Sequence, residues 1–133
     1  MADESSIEYF LSLRTVAVVG ASRDRNKYGN IVYRFLREQG LKVYAVNPAT
    51  RSVEDDPCYP SLDKLPEKVE GIVVVVPPLA TEKIVRQAAA AGIRAVWMQP
   101  GAESKDAVEF CEASGIRVVA NACILVKARP AEE

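Results

Sequence analysis

Four short segments hold most of the groups that could do chemistry. The first is Gly20-Ala21-Ser22-Arg23-Asp24-Arg25-Asn26-Lys27-Tyr28-Gly29-Asn30, with the cations Arg23, Arg25 and Lys27 close together. Gly20 permits a tight turn. The backbone amides that follow it, with the Ser22 and Asn26 side chains, can hold phosphate oxygens. The same run of charge is also what a solvated face presents. The second segment, Asn47-Pro48-Ala49-Thr50-Arg51, is a proline-braced turn followed by a cation that either meets an anion or stands in solvent. The third, Val76-Pro77-Pro78, lacks two amide donors. It cannot form a phosphate nest, but it can form an apolar wall. The fourth, Gln99-Pro100-Gly101, is a turn that carries one carboxamide.

Other chemistries are closed off. The chain of 133 residues contains no histidine, so it cannot by itself build a Ser-His or Cys-His nucleophile. Any general base would be Asp, Glu, Lys, Tyr or Cys. Cys58, Cys111 and Cys123 are odd in number and widely spaced, which fits neither a disulfide framework nor a zinc site. Free thiols in a reducing compartment are expected. A net charge of −1 and a pI near 5.6 argue against a nucleic-acid binder. No apolar run is long enough to span a membrane, and the acidic start MADESSIEYF does not read as a signal peptide. A cytoplasmic domain is expected.

These segments need elements to position them, and the hydrophobic pattern supplies a repeat. With 49% hydrophobic and 26% charged residues, the composition is that of an ordinary globular domain, and residues 1–133 read as a single one. Residues 5–13 suit a short helix capped by Ser5 or Ser6, with Ile7, Phe10 and Leu11 on one face. Strands are expected at Val16–Val19, Lys42–Val46, Gly71–Val76, Arg94–Met98 and Arg117–Ala120, with a tiny one at Cys58-Tyr59 in an otherwise irregular 49–60. Helices are expected at about Tyr28–Gln39, from a Thr81 cap to Ala91, and from a Ser104 cap to Ser114; Gly40, Gly92 and Gly115 close them. Trp97 lies among strand apolars and reads as core rather than as a ligand contact. The tail from Lys127 is expected to fray.

Strands alternating with helices imply parallel strands joined by right-handed crossovers. The expected fold is therefore α/β: a three-layer, doubly wound, Rossmann-like parallel sheet of order 3-2-1-4-5-6, with the third strand very short. The order reverses between the first strand and Gly71–Val76. Ligands of such sheets bind outside the carboxyl ends of the strands at that reversal, where the first and third segments lie, flanked by the second and fourth. The first loop is not a dinucleotide fingerprint, because Gly20 is followed by Ala-Ser and the next glycine is Gly29. The second strand ends in Asn47-Pro48 rather than in an acidic residue for ribose hydroxyls. No Gly-Lys-Ser/Thr follows Gly20, so it is not a P-loop either.

The ordered set VAVVGAS, KYGN, VYAVNP, CYPSL, VVVVPP and AVWMQPGAES, spread from about Thr15 to Cys123, resembles the stand-alone CoA-binding proteins. Their domain is similar to the amino-terminal CoA-binding domain of the succinyl-CoA synthetase alpha subunit. The resemblance implies coenzyme A or an acyl-CoA as ligand. It implies that Gly20, Ala21, Ser22, Arg23, Asn26, Lys27 and Tyr28 serve the phosphate end. Asn47, Pro48 and Arg51 would lie beside the nucleotide, Val76, Pro77 and Pro78 along the adenine or pantetheine path, and Gln99, Pro100 and Gly101 near the thiol. Many relatives have Asp-Arg-Cys where this chain has Asn121-Ala122-Cys123, and the catalytic histidine of the synthetase belongs to a second domain. Ligase activity is therefore not carried over. Non-catalytic CoA binding is expected, with a protein partner or a homo-oligomer open. The alternative is a small NAD(P)-binding enzyme or redox-sensing switch. Cys123 is either an inert thiol or a partner for the CoA thiol under oxidation.

Overall fold

The computed structural model describes residues 4–128. The elements run α1 Glu4–Leu11, β1 Thr15–Val19, α2 Tyr28–Glu38, β2 Lys42–Val46, β3 Ser52–Val53 and β4 Asp56–Tyr59. A 3-10 turn at Leu62–Lys64 leads to β5 Gly71–Val74, α3 Pro78–Ala90, β6 Ala95–Met98, α4 Lys105–Ala113, β7 Arg117–Val119 and α5 Ile124–Lys127.

The strands form one sheet of order β3-β4-β2-β1-β5-β6-β7. From β4 to β7 every pairing is parallel, which is the doubly wound order expected. The difference lies at the edge. Residues 49–60 are not a loop around one tiny strand but a hairpin, in which β3 pairs antiparallel with β4 through Val53↔Asp56. Its turn residues Glu54 and Asp55 have φ of 51° and 67°, a conformation that usually calls for Asn or Gly and so left no turn signal in the sequence.

The strand residues alternate between two cores, as a sheet covered on both faces requires. Val16 and Val18 pack with Ile7 and Phe10 of α1, Val32 and Leu36 of α2, and Ile124 of α5. Ala17 and Val19 pack with Val85 and Ala88 of α3 and with Ala107 and Cys111 of α4. Trp97 is fully buried in the first of these cores, edge-on to Phe10, and its indole donates to the Ala122 carbonyl at 2.9 Å.

Several boundaries move. The first helix already includes Glu4, so Ser5 and Ser6 lie within it rather than capping it. β5 stops at Val74, before the prolines; the Val75 amide still donates to the Val19 carbonyl at 2.8 Å, and the chain then turns into the next helix. The following helix is capped at Pro77 with Pro78 in its first turn, where proline's missing N–H is harmless. Thr81 therefore sits inside the helix, and its hydroxyl donates to the Pro77 carbonyl at 3.4 Å. Ser104 does cap α4, accepting from the Ala107 amide at 3.2 Å. Beyond β7 the chain makes the short helix α5, with Ile124 buried; of the tail expected to fray, residues 129–133 lie outside the described residues.

Candidate functional site

β1 and β5 are neighbours whose outgoing chains diverge to opposite faces of the sheet, and a cleft opens between them. Its volume is about 490 Å³, and it is lined by Gly20, Ser22, Asn26, Lys27, Tyr28, Gly29, Asn47, Val75, Val76 and Pro77. Its closed end is made by two glycines. Gly20 has φ +98°, and a Cβ there would stand 2.2 Å from the Val75 carbonyl oxygen. A Cβ on Gly29 would stand 2.0 Å from the Gly20 carbonyl oxygen. The first turn of α2 is thereby pressed onto the end of β1. Gly29 thus does the packing that a glycine performs in dinucleotide-binding turns, at a different spacing. The sequence carried this signal, a glycine at the second position of a helix, but the spacing concealed it.

The side chains that shape the first loop come from three elements. Asn30, fully buried, donates from Nδ2 to the Ser22 carbonyl at 2.9 Å and to Glu54 Oε2 at 3.0 Å. Its Oδ1 accepts from Arg34 Nε at 2.6 Å. Glu54 also takes the Arg25 Nε–H at 3.2 Å. The Asn30 hydrogen bond, aided by Arg25 and Arg34, holds the Glu54 carboxyl below the usual carboxylate range. Within the loop, the Asp24 amide donates to Ser22 Oγ and the Asn26 amide to Asp24 Oδ1, both at 3.0 Å. Asn30, Arg34 and Glu54 were not anticipated. An asparagine inside a helix and a carboxylate in a hairpin give no local sign that they meet.

Asn47 ties the second loop to the first. Its Nδ2 donates to the Ala21 carbonyl at 2.7 Å, and its Oδ1 accepts from the Ala49 amide at 2.8 Å. Both ends of the carboxamide are engaged by backbone. Ala21 is buried and contributes that carbonyl rather than cleft surface. Lys27 caps α2 without a side-chain cap bond, so the first-turn amides of α2 lack a side-chain acceptor at the cleft wall. The positive end of the helix dipole points there, which favours an anion.

Of the residues expected to serve a ligand, the cleft wall thus gathers Gly20, Ser22, Asn26, Lys27, Tyr28, Asn47, Val76 and Pro77, and adds Gly29 and Val75. Arg23, Pro48, Arg51 and Pro78 are exposed around it and do not line it. Gln99 is buried and begins the turn after β6, its amide donating to the Val74 carbonyl at 3.1 Å. Its carboxamide braces α5: Oε1 accepts from the Ile124 amide at 2.7 Å, and Nε2 points at Cys123 Sγ at 3.5 Å. Pro100 and Gly101 lead away from it on the surface. The three cysteines are free, Cys58 and Cys111 buried and Cys123 half-buried. No cluster of metal-ligating residues occurs among the described residues. A wider groove of about 640 Å³ lies between α3 and α4, lined by Leu79, Arg86, Asp106 and Phe110 among others. It lies on the outer helical layer, with neither the glycine turn nor the α2 amides on its walls.

The cleft therefore offers a tight glycine turn, an uncapped helix start with a lysine, two small carboxamides and an apolar lip. A family model described as a CoA binding domain matches residues 14–129. The chain belongs to this family. It is 33% identical over 121 residues to an ADP-forming acetate–CoA ligase I of Archaeoglobus fulgidus, covering 84% of this chain and 18% of that protein. It is 30% identical over 129 residues to the alpha subunit of an ADP-forming acetate–CoA ligase II of Pyrococcus furiosus, covering 89% of this chain and 28% of that subunit. The chain thus spans less than a third of the length of these curated relatives. Among solved structures, a hypothetical protein from Pyrococcus horikoshii superposes with TM-score 0.89 at 33% identity, covering 94% of this chain and 89% of that one. A conserved hypothetical protein from Pyrococcus furiosus superposes with TM-score 0.81 at 40% identity, covering 86% of this chain and 98% of that one. No described helix of the chain is long and apolar enough to cross a membrane.

Proposed function

We propose that the whole chain acts as one CoA-binding domain in the cytoplasm, taking coenzyme A or an acyl-CoA in the cleft between β1 and β5 without ligase chemistry of its own. The observation that carries the reading is the Gly20–Gly29 contact. It brings the α2 amides and Lys27 to the end of β1 in the arrangement that suits a pyrophosphate. Val75, Val76 and Pro77 supply the apolar lip along which an adenine or a pantetheine arm could lie. Arg23 and Arg51, exposed at the rim, are the cations available to a 3′-phosphate. Asn47 speaks against NAD: it stands where NAD-binding sheets carry an acidic residue for the ribose diol, and its carboxamide is turned to the Ala21 carbonyl and the Ala49 amide. A chain without histidine supports a binding role, in which a protein partner or a second copy would receive or present the acyl group.

Thermal unfolding in the presence of CoA, acetyl-CoA, NAD or NADP tests this. A ligand at ~100 times its Kd should add about 2.7 kcal/mol, which for a domain of this size is roughly 10 °C in Tm. CoA and acetyl-CoA should produce the shift and NAD should not. Stabilisation by NAD or NADP with none by CoA would overturn the reading.

A further inference from the structure

We propose that Glu54, at the tip of the β3–β4 hairpin, is a positioning residue that sets the affinity of this cleft: it pins the first loop through Asn30 and withholds Arg25 from an anionic ligand. The inference rests on the CoA reading above and adds to it a competition, between one carboxylate and the phosphates of the ligand, for a single guanidinium.

Two connections meet at Glu54 Oε2. The inner one runs to Asn30 at 3.0 Å and onward to the Ser22 carbonyl at 2.9 Å, so the hairpin tip is linked to a residue of the cleft wall. The outer one runs to Arg25 at 3.2 Å. The Glu54 side chain is 16% exposed and that of Arg25 is 64% exposed, so the acid is held in place while the cation is free to swing. Both Asn30 donors are used, Nδ2 serving Ser22 and Glu54, and its Oδ1 accepts from Arg34. Arg34 in turn donates to the Arg25 carbonyl at 3.2 Å, which holds the backbone of Arg25 while its side chain reaches Glu54.

The two connections need different things. A neutral acceptor suffices for the Asn30 amide, whereas holding Arg25 requires charge. Glu54→Gln therefore separates them: the loop keeps its pin and Arg25 is released. Of the three first-loop cations, Arg25 alone is shown paired to a carboxylate, while Arg23 and Lys27 have no ion pair among the described residues. The Arg25 end of the pair is exposed and screened by salt, so the gain from releasing it should shrink as salt rises.

The experiment is calorimetric titration of the full chain with CoA at low and at moderate salt. Glu54→Gln should bind CoA about threefold to tenfold more tightly at low salt, with a gain that shrinks as salt rises. Arg25→Ala alone should stay within about twofold of the parent, because the cation is already engaged. The double variant should lose the gain. Asp55→Asn, the same change of charge one residue away, should also stay within about twofold, which excludes a general charge effect. Unchanged or weaker binding by a folded Glu54→Gln, or a gain that survives Arg25→Ala, overturns the inference while leaving the ligand assignment standing. No CoA binding by the parent overturns both. If Glu54→Gln does not fold, the Arg25 Nε–H resonance of the parent decides. A resonance left unmoved by CoA supports retention of Arg25 on Glu54, and a shift on adding CoA refutes it.

Discussion

Replacing Gly29 by alanine sets two physical effects against each other. On helix propensity alone the change is favourable, because alanine in a helix is better than glycine by about 1 kcal/mol. The geometry argues the opposite. The added Cβ would lie 2.0 Å from the Gly20 carbonyl oxygen and 3.3 Å from the Ala21 Cα, where ordinary contact begins near 3.4 Å. The obstructing atom is backbone, and Gly20 is itself confined by the Val75 carbonyl, so no side chain can rotate away. The start of α2 must move by more than 1 Å. Overpacking of this kind costs about 1–3 kcal/mol, and contact with fixed backbone puts it at or above the upper end. The net expectation is a loss of about 2 kcal/mol, or roughly 6–10 °C in Tm. CoA affinity should fall as well, by about tenfold or more, because the displaced amides are those offered to the phosphates. Urea denaturation gives the first quantity and calorimetric titration the second. Gly115→Ala is the control: φ is +74° but the space around it is open, so only backbone strain of about 1 kcal/mol is expected and no change in ligand affinity. A Gly29→Ala protein as stable as the parent would refute the argument that close approach, rather than chance, placed glycine there.

Arg51→Ala should weaken CoA by about tenfold or more while leaving dephospho-CoA nearly unchanged, whereas Lys27→Ala should weaken both; titration with the two ligands checks this, and an effect below about twofold for both variants removes these cations from the site. Trp97→Phe should cost about 2–4 kcal/mol in urea denaturation, because it leaves the buried Ala122 carbonyl without its donor and opens a void beside Phe10. Stability should also depend on pH at both ends. Glu54, held low by Asn30, and Glu67, held low by Lys42 and Tyr44, contribute stability above the ordinary carboxylate range that is lost as pH falls through their depressed folded values. Burial raises the Cys111 thiol from its ordinary 9.0 to about 12, so its contribution is complete below the ordinary value and is lost as pH rises from there toward about 12. Tm measured across pH should show both limbs, the acid one shallower in Glu54→Gln and the alkaline one shallower in Cys111→Ala.

What the sequence by itself determined was the periodic part of the protein. Uninterrupted β-branched runs such as Val16–Val19 and Ile72–Val74 could only be strands covered on both faces, and the helical stretches between them required parallel crossovers. From that alternation came the order of the parallel strands, the reversal between β1 and β5, and the loops that meet there. Local turn chemistry, at Gly20, Asn47-Pro48 and Pro77-Pro78, marked the three loops that meet at the cleft wall. Tertiary structure decided whatever depends on a partner distant in sequence. The β3–β4 hairpin was invisible because Glu54 and Asp55 adopt positive φ without the residues that usually signal it. The role of Gly29 depends on how closely α2 approaches Gly20, and that of Asn30 on a carboxylate 24 residues away. That the Gln99 carboxamide braces α5 depends on contacts 24 and 25 residues away. A sequence records which groups could bond. Packing decides which of them meet, because a buried amide or carboxylate must be matched by whatever the fold brings within hydrogen-bond distance.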